Sequence, residues 1–397
     1  MKAFTRILLF SVFTGAFALA GCSRPTGAGS ASTAATGSGP IPVGEYASMT
    51  GDTATFGQSS HKGVQMAIDE INTGGGINGR QLALDPEDDQ SKAPEAATAV
   101  QKLLDRDHVV AVLGEVASGS SLAAAPICQR RQIPMISPAS TNPKVTARGD
   151  YIFRVCFIDP FQGTVMAKFA ANNLKLKRMA VFKAQDRPYS TGLADNFVTA
   201  FHRLGGEIVG NESYTSTDTD FKAQLTSIKA QNPDGIFIPG YYNEVGTIGR
   251  QARELGIRVP LLGGDGWDSP SLFDAAGGAL EGCYFSNHYS PEEKRPAIQE
   301  FIQKFKARNS GEVPDAMAAL GYDAARILGD AMKRAKSLSG PDLRDAIAAT
   351  KDFPGVTGTI TLNNQRNAVK PAVVLQIRGR AYHYVTTINP YDGQPHV

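Results

Sequence analysis

The sequence predicts an α/β fold of two doubly wound parallel-sheet lobes joined by a multi-strand hinge. Three observations lead there. From Ile41 onward short apolar runs alternate with segments of helical period, the order that builds parallel sheets covered by helices on both faces. The series is too long for one comfortable open sheet, and a chain of 397 residues suits two domains. After Gly282 the order changes to late helices without intervening strands, which fits a chain returning to its first lobe.

The elements follow in order. Val43 to Met49 reads as a strand, and Val64, Ala67, Ile68 and Ile71 mark one helix stripe. Leu82 to Leu84, a helix over Ala93 to Arg106, and Val109 to Leu113 continue the series. A helix from about Ser120 and strands at Pro134 to Ser137 and Tyr151 to Phe157 follow. The second series runs from a helix at Phe161 to Leu174 through a strand at Met179 to Phe182. A periodic helix follows, carrying Leu193, Phe197, Ala200, Phe201 and Leu204. Ile208 to Tyr214, Phe221 to Ile228, Ile236 to Ile238, Val245 to Leu255 and Pro260 to Leu262 repeat the alternation. The strand Cys283 to Tyr289 then leads to helices near Ile298 to Phe305, Leu320 to Ala331 and Pro341 to Ala349, and to strands near Thr357, Ala372 and Ala381. These readings place one lobe at 41–158 plus 289–361 and the other at 159–288 plus 362–397.

Lys2 and Arg6 precede an apolar stretch, Ile7 to Ala18, too short to span a bilayer and suited to an export signal over residues 1–21. It ends in Leu19-Ala20-Gly21-Cys22, which resembles a bacterial lipobox, so Cys22 is the expected lipidation site. Ser23 to Pro40 holds only Ser, Gly, Thr, Ala, Pro and one Arg, and reads as a leash spanning roughly 20–25 Å. The expected location is extracytoplasmic, with contact to a membrane through the lipid anchor only. The formal charge of +2 falls to zero once Lys2 and Arg6 are removed. No like-charge run is interleaved with aromatics, so no nucleic-acid partner is expected.

Motifs for chemistry are thin. Gly74, Gly76 and Gly79 satisfy G-x-G-x-x-G, but they follow a helix and precede a strand, the reverse of a dinucleotide site. They read as a C-cap and turn. Ser59-Ser60-His61-Lys62 matches S-x-x-K without its companion motifs and reads as a helix N-cap. The cluster Asp85, Glu87, Asp88, Asp89 lacks the glycine and terminal glutamate of a calcium loop and reads as a cap for the next helix. The six histidines lack metal-ligand spacing, and Cys128, Cys156 and Cys283 allow at most one disulfide. No enzyme, cofactor or metal is expected.

Other segments suit binding. Ser118, Gly119, Ser120 and Ser121 follow a strand and open a helix, so they serve either as a carboxylate site or as simple N-capping. Ser137-Pro-Ala139-Ser-Thr141-Asn142 closes the next strand end with more hydroxyls. Tyr189, Tyr241, Tyr242 and the Gly263-Gly264-Asp265-Gly266-Trp267 turn follow strands of the second lobe. Aromatics with one carboxylate suit an ammonium group. The tyrosines are equally suited to packing at a lobe surface.

From about Ile41 to Val385 the chain resembles the leucine/isoleucine/valine-binding family of type I periplasmic substrate-binding proteins. The resemblance rests on the order of Met49-Thr-Gly51, Phe56-Gly57, Gly63, Ala67, Asp69-Glu70, Gly75-Gly76-Ile77-Asn-Gly79, Ile136-Ser-Pro138-Ala-Ser-Thr141, Tyr189, Gly192, Gly240-Tyr241 and Gly256. It implies a solute binder for an ABC importer that captures a small amino acid by closure of two lobes and delivers it to a permease. Ser118 and Thr141 would hold the ligand carboxylate, the Ala139 carbonyl would help hold the ammonium, and Tyr189, Tyr241 and Phe56 would enclose it. A family glutamate stands where this chain has Asp265, one methylene shorter. A family disulfide joins the positions of Ser91 and Ala117, where this chain cannot form one. Two other readings remain: a sensor or receptor domain for an amide or aromatic acid, and a hydrolase on the same scaffold.

Overall fold

The computed structural model describes residues 39–390. The export signal, Cys22 and the leash through residue 38 lie outside the described residues. The first sheet contains β1 (Ile41–Ala47), β2 (Leu82–Asp88), β3 (Ala111–Leu113), β4 (Met135–Ser137) and β5 (Ile152–Arg154). Its order is β2-β1-β3-β4-β5, with every neighbour parallel. β3, β4 and β5 are buried throughout, because helices lie on both faces. Those helices include α1 (Ala54–Thr73), α2 (Ala93–Asp105) and α3 (Ser118–Arg131).

The second lobe begins with α4 (Asp159–Lys168), which ends in a π-helical turn over Phe169–Asn173. The chain then alternates β6 (Arg178–Ala184), α5 (Pro188–Arg203), β7 (Glu207–Tyr214), α6 (Lys222–Ala230), β8 (Gly235–Phe237), α7 (Tyr242–Glu254) and β9 (Leu261–Gly263). It continues to the short α8 (Leu272–Ala276) and β10 (Tyr284–Asn287). From there it returns to the first lobe as α9 (Pro296–Arg308), α10 (Ala316–Arg334) and α11 (Gly340–Ala348). α10 packs along α1 at very close range. A Cβ on Gly63 would lie 2.0 Å from the Ala318 carbonyl oxygen, and one on Gly321 would lie 2.3 Å from that of Ser60. Only glycines permit that crossing.

A small antiparallel ribbon, β11 (Phe353–Gly355), β12 (Gly358–Leu362) and β13 (Ala368–Val369), precedes the last pair, β14 (Ala372–Arg378) and β15 (Ala381–Ile388). The last pair is added antiparallel beside β10, so the second sheet runs β15-β14-β10-β9-β8-β6-β7. Gly379 and Arg380 join β14 to β15 with φ of 56° and 60°, the two-residue turn whose twist matches a hairpin. The chain passes between the two large sheets after β5, after β10 and after β13. Three crossings make a hinge of several strands.

Two sequence readings need correction. Ser59 to Lys62 lie inside α1 rather than at its cap: Ser59 Oγ bonds Asp315, and His61 Nδ1 lies 2.6 Å from Glu45. The acidic cluster does not cap α2, whose cap residue is Lys92. Asp88 instead accepts from Met49 N, Thr50 N and Thr50 Oγ1, fastening the β1–α1 loop. Glu87 and Asp107 receive the Lys102 ammonium at 2.5 and 3.0 Å, so the cation place beside Asp85 is taken by a side chain. The Gly74–Gly79 segment is the C-cap and turn that its context implied. Cys128, Cys156 and Cys283 are buried free thiols.

Candidate functional site

Both sheets share one local order, in which the first strand of the lobe lies between the second and the third. Loops at the carboxyl ends of strands diverge at such a point and leave a crevice. Every candidate site residue sits just beyond one of those strand ends: Phe56 after β1, Ser118 after β3, Ala139 and Thr141 after β4, Tyr189 after β6, Tyr241 after β8, Asp265 after β9. All seven are buried.

The lobes meet across this crevice. Asn142 Nδ2 donates to the Pro188 carbonyl at 2.7 Å, and Thr55 Oγ1 lies 2.8 Å from Ser269 Oγ. Tyr242 donates its hydroxyl to the Asp52 carbonyl at 2.9 Å. Arg187 bonds Glu244 at 3.1 Å and Asp52 at 3.4 Å, and its guanidinium lies 5.0 Å from the Tyr241 ring centre. Tyr241 stacks on Tyr189 with ring centres 5.0 Å apart, and Phe56 meets Tyr241 edge-on at 5.6 Å. The three rings therefore form one aromatic wall that both lobes contribute to.

On the first lobe, Ser118 occupies the first turn of α3, where backbone N–H groups lack intrahelical acceptors. Its hydroxyl does not cap the helix; it accepts from Asn142 N at 3.3 Å and so links the β3 and β4 loops. Thr141 Oγ1 is buried without a well-formed hydrogen bond. The loop beneath is pinned by Arg154, a fully buried guanidinium that donates to the carbonyls of Ser140 and Asn142 and to Thr146 Oγ1.

On the second lobe, Asp265 does not use its side chain to cap the turn before Trp267. Its Oδ1 accepts from Gln162 Nε2 at 2.8 Å and from the Tyr189 hydroxyl at 2.9 Å, while Oδ2 faces His288 Nε2 at 2.9 Å. His288 stacks on Phe157 with ring centres 3.8 Å apart. Burial pushes its imidazole down to about 4, so it is a neutral donor to Asp265 at pH 7. The carboxylate's hydrogen bonds thus come from neutral donors alone, and the buried Lys370 ammonium acts on it without a direct bond.

Sequence reasoning missed Gln162 and His288, and it missed Asp159. Asp159 opens α4, and its backbone N–H donates to the Thr141 carbonyl at 3.0 Å. Both of its carboxyl oxygens are buried without a well-formed hydrogen bond. Burial pushes this carboxyl up to about 8, with the Thr141 hydroxyl pulling the other way and Asp265 adding to the rise. Gly192 leaves it room, since a Cβ there would lie 3.2 Å from Asp159 Oδ2. The sole sequence signal was a pair of polar residues three apart, Asp159 and Gln162, at the start of a helix that follows a strand.

The arrangement sets two buried carboxyl groups and an aromatic wall opposite hydroxyls at a helix N-terminus. The family model described as periplasmic binding protein matches residues 40–381. Leu/Ile/Val-binding protein homolog 3 of Brucella melitensis is 30% identical over 335 residues, covering 84% of this chain and 89% of that protein. The leucine-specific-binding protein of Salmonella typhimurium is 32% identical over 306 residues, covering 76% and 81%. Among solved structures, the leucine binding protein LivK of Thermotoga maritima superposes with a TM-score of 0.85 at 39% identity, covering 89% of this chain and 99% of that one. LivJ of Streptococcus pneumoniae in complex with isoleucine gives 0.82 at 34% identity, covering 87% and 99%. The chain belongs to the leucine/isoleucine/valine-binding family of type I periplasmic binding proteins, which are solute binders and not enzymes.

Proposed function

We propose that this protein is an exported lipoprotein, tethered through Cys22, that captures an α-amino acid with an aliphatic side chain and delivers it to the permease of an ABC importer. The observation that carries the reading is the opposition of the Asp265 carboxylate on one lobe to the Ser118 hydroxyl and α3 N-terminus on the other. A zwitterion bridges two such poles, and its carboxylate gains from the helix terminus. Ser118 and Thr141 take the ligand carboxylate. Asp265, with the Ala139 carbonyl, takes the ammonium. Tyr189, Tyr241 and Phe56 cover the side chain. The lobes that close are 41–158 plus 289–361 and 159–288 plus 362–397.

The leucine and isoleucine named for the relatives support the aliphatic choice. Asp265 is shorter than the family glutamate, and Gln162, Tyr189 and His288 support it from behind. Asp159 supplies a second carboxyl on the same side, which suits the shifted ammonium. Calorimetry with L-leucine, L-isoleucine and L-valine, and with benzoate and an amide as contrasts, tests the proposal. Tight binding of an aliphatic amino acid is the expected result. Binding of benzoate or the amide with no amino acid bound would overturn it.

A further inference from the structure

A buried acid pair lies on the first lobe, outside the residues assigned to the ligand. Asp89 follows β2, Glu115 follows β3, and both are buried. Ser48, at the end of β1, stands between them, its Oγ 2.8 Å from Asp89 Oδ1 and 3.0 Å from Glu115 Oε1. A hydroxyl has a single hydrogen, and an ionised carboxylate has none to give. Two hydrogen bonds from one hydroxyl to two carboxyl oxygens therefore need one carboxyl to be the donor. Ser48 N also donates to Glu115 Oε1 at 3.2 Å, which ties the pair to β1 twice.

The same residues fix the loops of the ligand site. Asp89 Oδ1 accepts from Ser91 N at 2.9 Å, and Glu115 Oε2 accepts from Ala117 N. Those are the two positions that the family's disulfide would join. The Glu115 carbonyl accepts from Ser137 Oγ at 2.8 Å, Ser140 Oγ at 2.9 Å and Ser121 Oγ at 3.3 Å. One residue thus ties β1, the N-terminus of α3 that carries Ser118, and the β4 loop that carries Ala139 and Thr141.

We infer that Asp89 and Glu115 share one proton through the Ser48 hydroxyl, and that this pair is the positioning device for the Ser118 and Thr141 loops. The inference rests on the amino-acid-binding reading above. When the proton leaves, two buried like charges face one hydroxyl, and the β3–α3 turn must move to separate them. Burial and the neighbouring Asp89 hold the pair's last proton well above the usual carboxylate range, and the proton belongs to the pair rather than to either acid. Of the groups that act most strongly on Glu115, none is a cation. The titratable neighbours are Asp88 beside Asp89, Tyr46 from β1 and Tyr241 from the facing lobe.

The test compares wild type, Asp89→Asn and Glu115→Gln from about pH 6 to about pH 10, reading Tm without ligand and L-leucine affinity by calorimetry. Asp89→Asn is the conservative probe, because its amide oxygen keeps both Oδ1 bonds and its nitrogen takes the unpartnered Oδ2 place. Leucine's own ammonium loses its proton in the same range but acts equally on all three proteins. Wild type is expected to lose Tm and about tenfold more affinity than Asp89→Asn at the alkaline end. Identical pH profiles would overturn the shared proton. A difference in Tm with parallel affinity profiles would overturn the positioning role. If wild type binds no amino acid at any pH, the functional reading fails, while the Tm comparison still decides the proton.

Discussion

Asp265→Asn is the cleanest perturbation of the proposed ammonium site. The carboxylate accepts from Gln162 and Tyr189 at Oδ1 and from His288 at Oδ2. An amide oxygen placed at Oδ1 keeps the first two bonds. The amide nitrogen at Oδ2 then meets His288 Nε2, which must change from donor to acceptor. His288 is neutral, and its Nδ1 has no partner to lose, so the tautomer can switch at little cost. The variant therefore removes a charge and keeps the bonds, and its ligand-free stability should stay within about 1 kcal/mol of wild type. Leaving a buried ammonium without its counter-charge costs about 2–5 kcal/mol, or roughly 30- to 5,000-fold in affinity. Calorimetry should show that loss for L-leucine. A leucine analogue without the amino group should bind the variant no worse than wild type. Leucine binding within about threefold of wild type, with melting unchanged, would refute the pairing.

Other outcomes follow from the same geometry. Cys22→Ser should move the protein from the membrane to the soluble fraction of cell extracts, and wholly soluble wild type would end the lipoprotein reading. Small-angle scattering should show a smaller radius of gyration with saturating leucine, because a ligand that bridges the lobes favours the closed state. Asp159 has its folded pKa raised to about 8, so the stability it contributes is full below the unfolded carboxylate pKa and is lost as pH rises through about 8. An ammonium arriving beside it should expel its proton at pH 7. Leucine binding should then release a proton, seen as a buffer-dependent enthalpy that Asp159→Asn abolishes.

The strand ends were legible in the sequence because apolar runs and helix stripes mark them directly. Once the strands are placed, the residues just beyond them define a cleft without any knowledge of contacts. Glu115, Gln162, His288 and Arg154 were not legible for the opposite reason. Gln162 and Asp265 are 103 positions apart and meet only because α4 packs beside the β9 end. His288 reads as a lone histidine until Phe157 and Asp265 stand on either side of it. The acids at the end of β2 were misread because local rules send Asp to helix caps. The free donors of the β1–α1 loop lie in space closer than the next helix, and they took those carboxylates instead.

The closed arrangement also bears on how a ligand governs this protein. Across the cleft the lobes are joined by Asn142 to Pro188, Thr55 to Ser269 and Tyr242 to Asp52, with Arg187 spanning to Asp52 at the rim, while bonds such as Ala316 N to Asp268 and Lys370 to Thr357 stand near the chain crossings. Bonds between neutral partners contribute about 0.5–1.5 kcal/mol each, and a rim ion pair contributes about 1 kcal/mol or less. Together they favour closure by only a few kcal/mol. Closure also withdraws Asp265 and Asp159 from water, which costs free energy while their charges or protons lack an outside partner. The two contributions oppose each other. On the proposed function, a bound zwitterion would tip that balance by neutralising Asp265 and occupying the Ser118 and Thr141 hydroxyls. A ligand lacking either pole would leave part of the cost standing, which would place selectivity in the closing step.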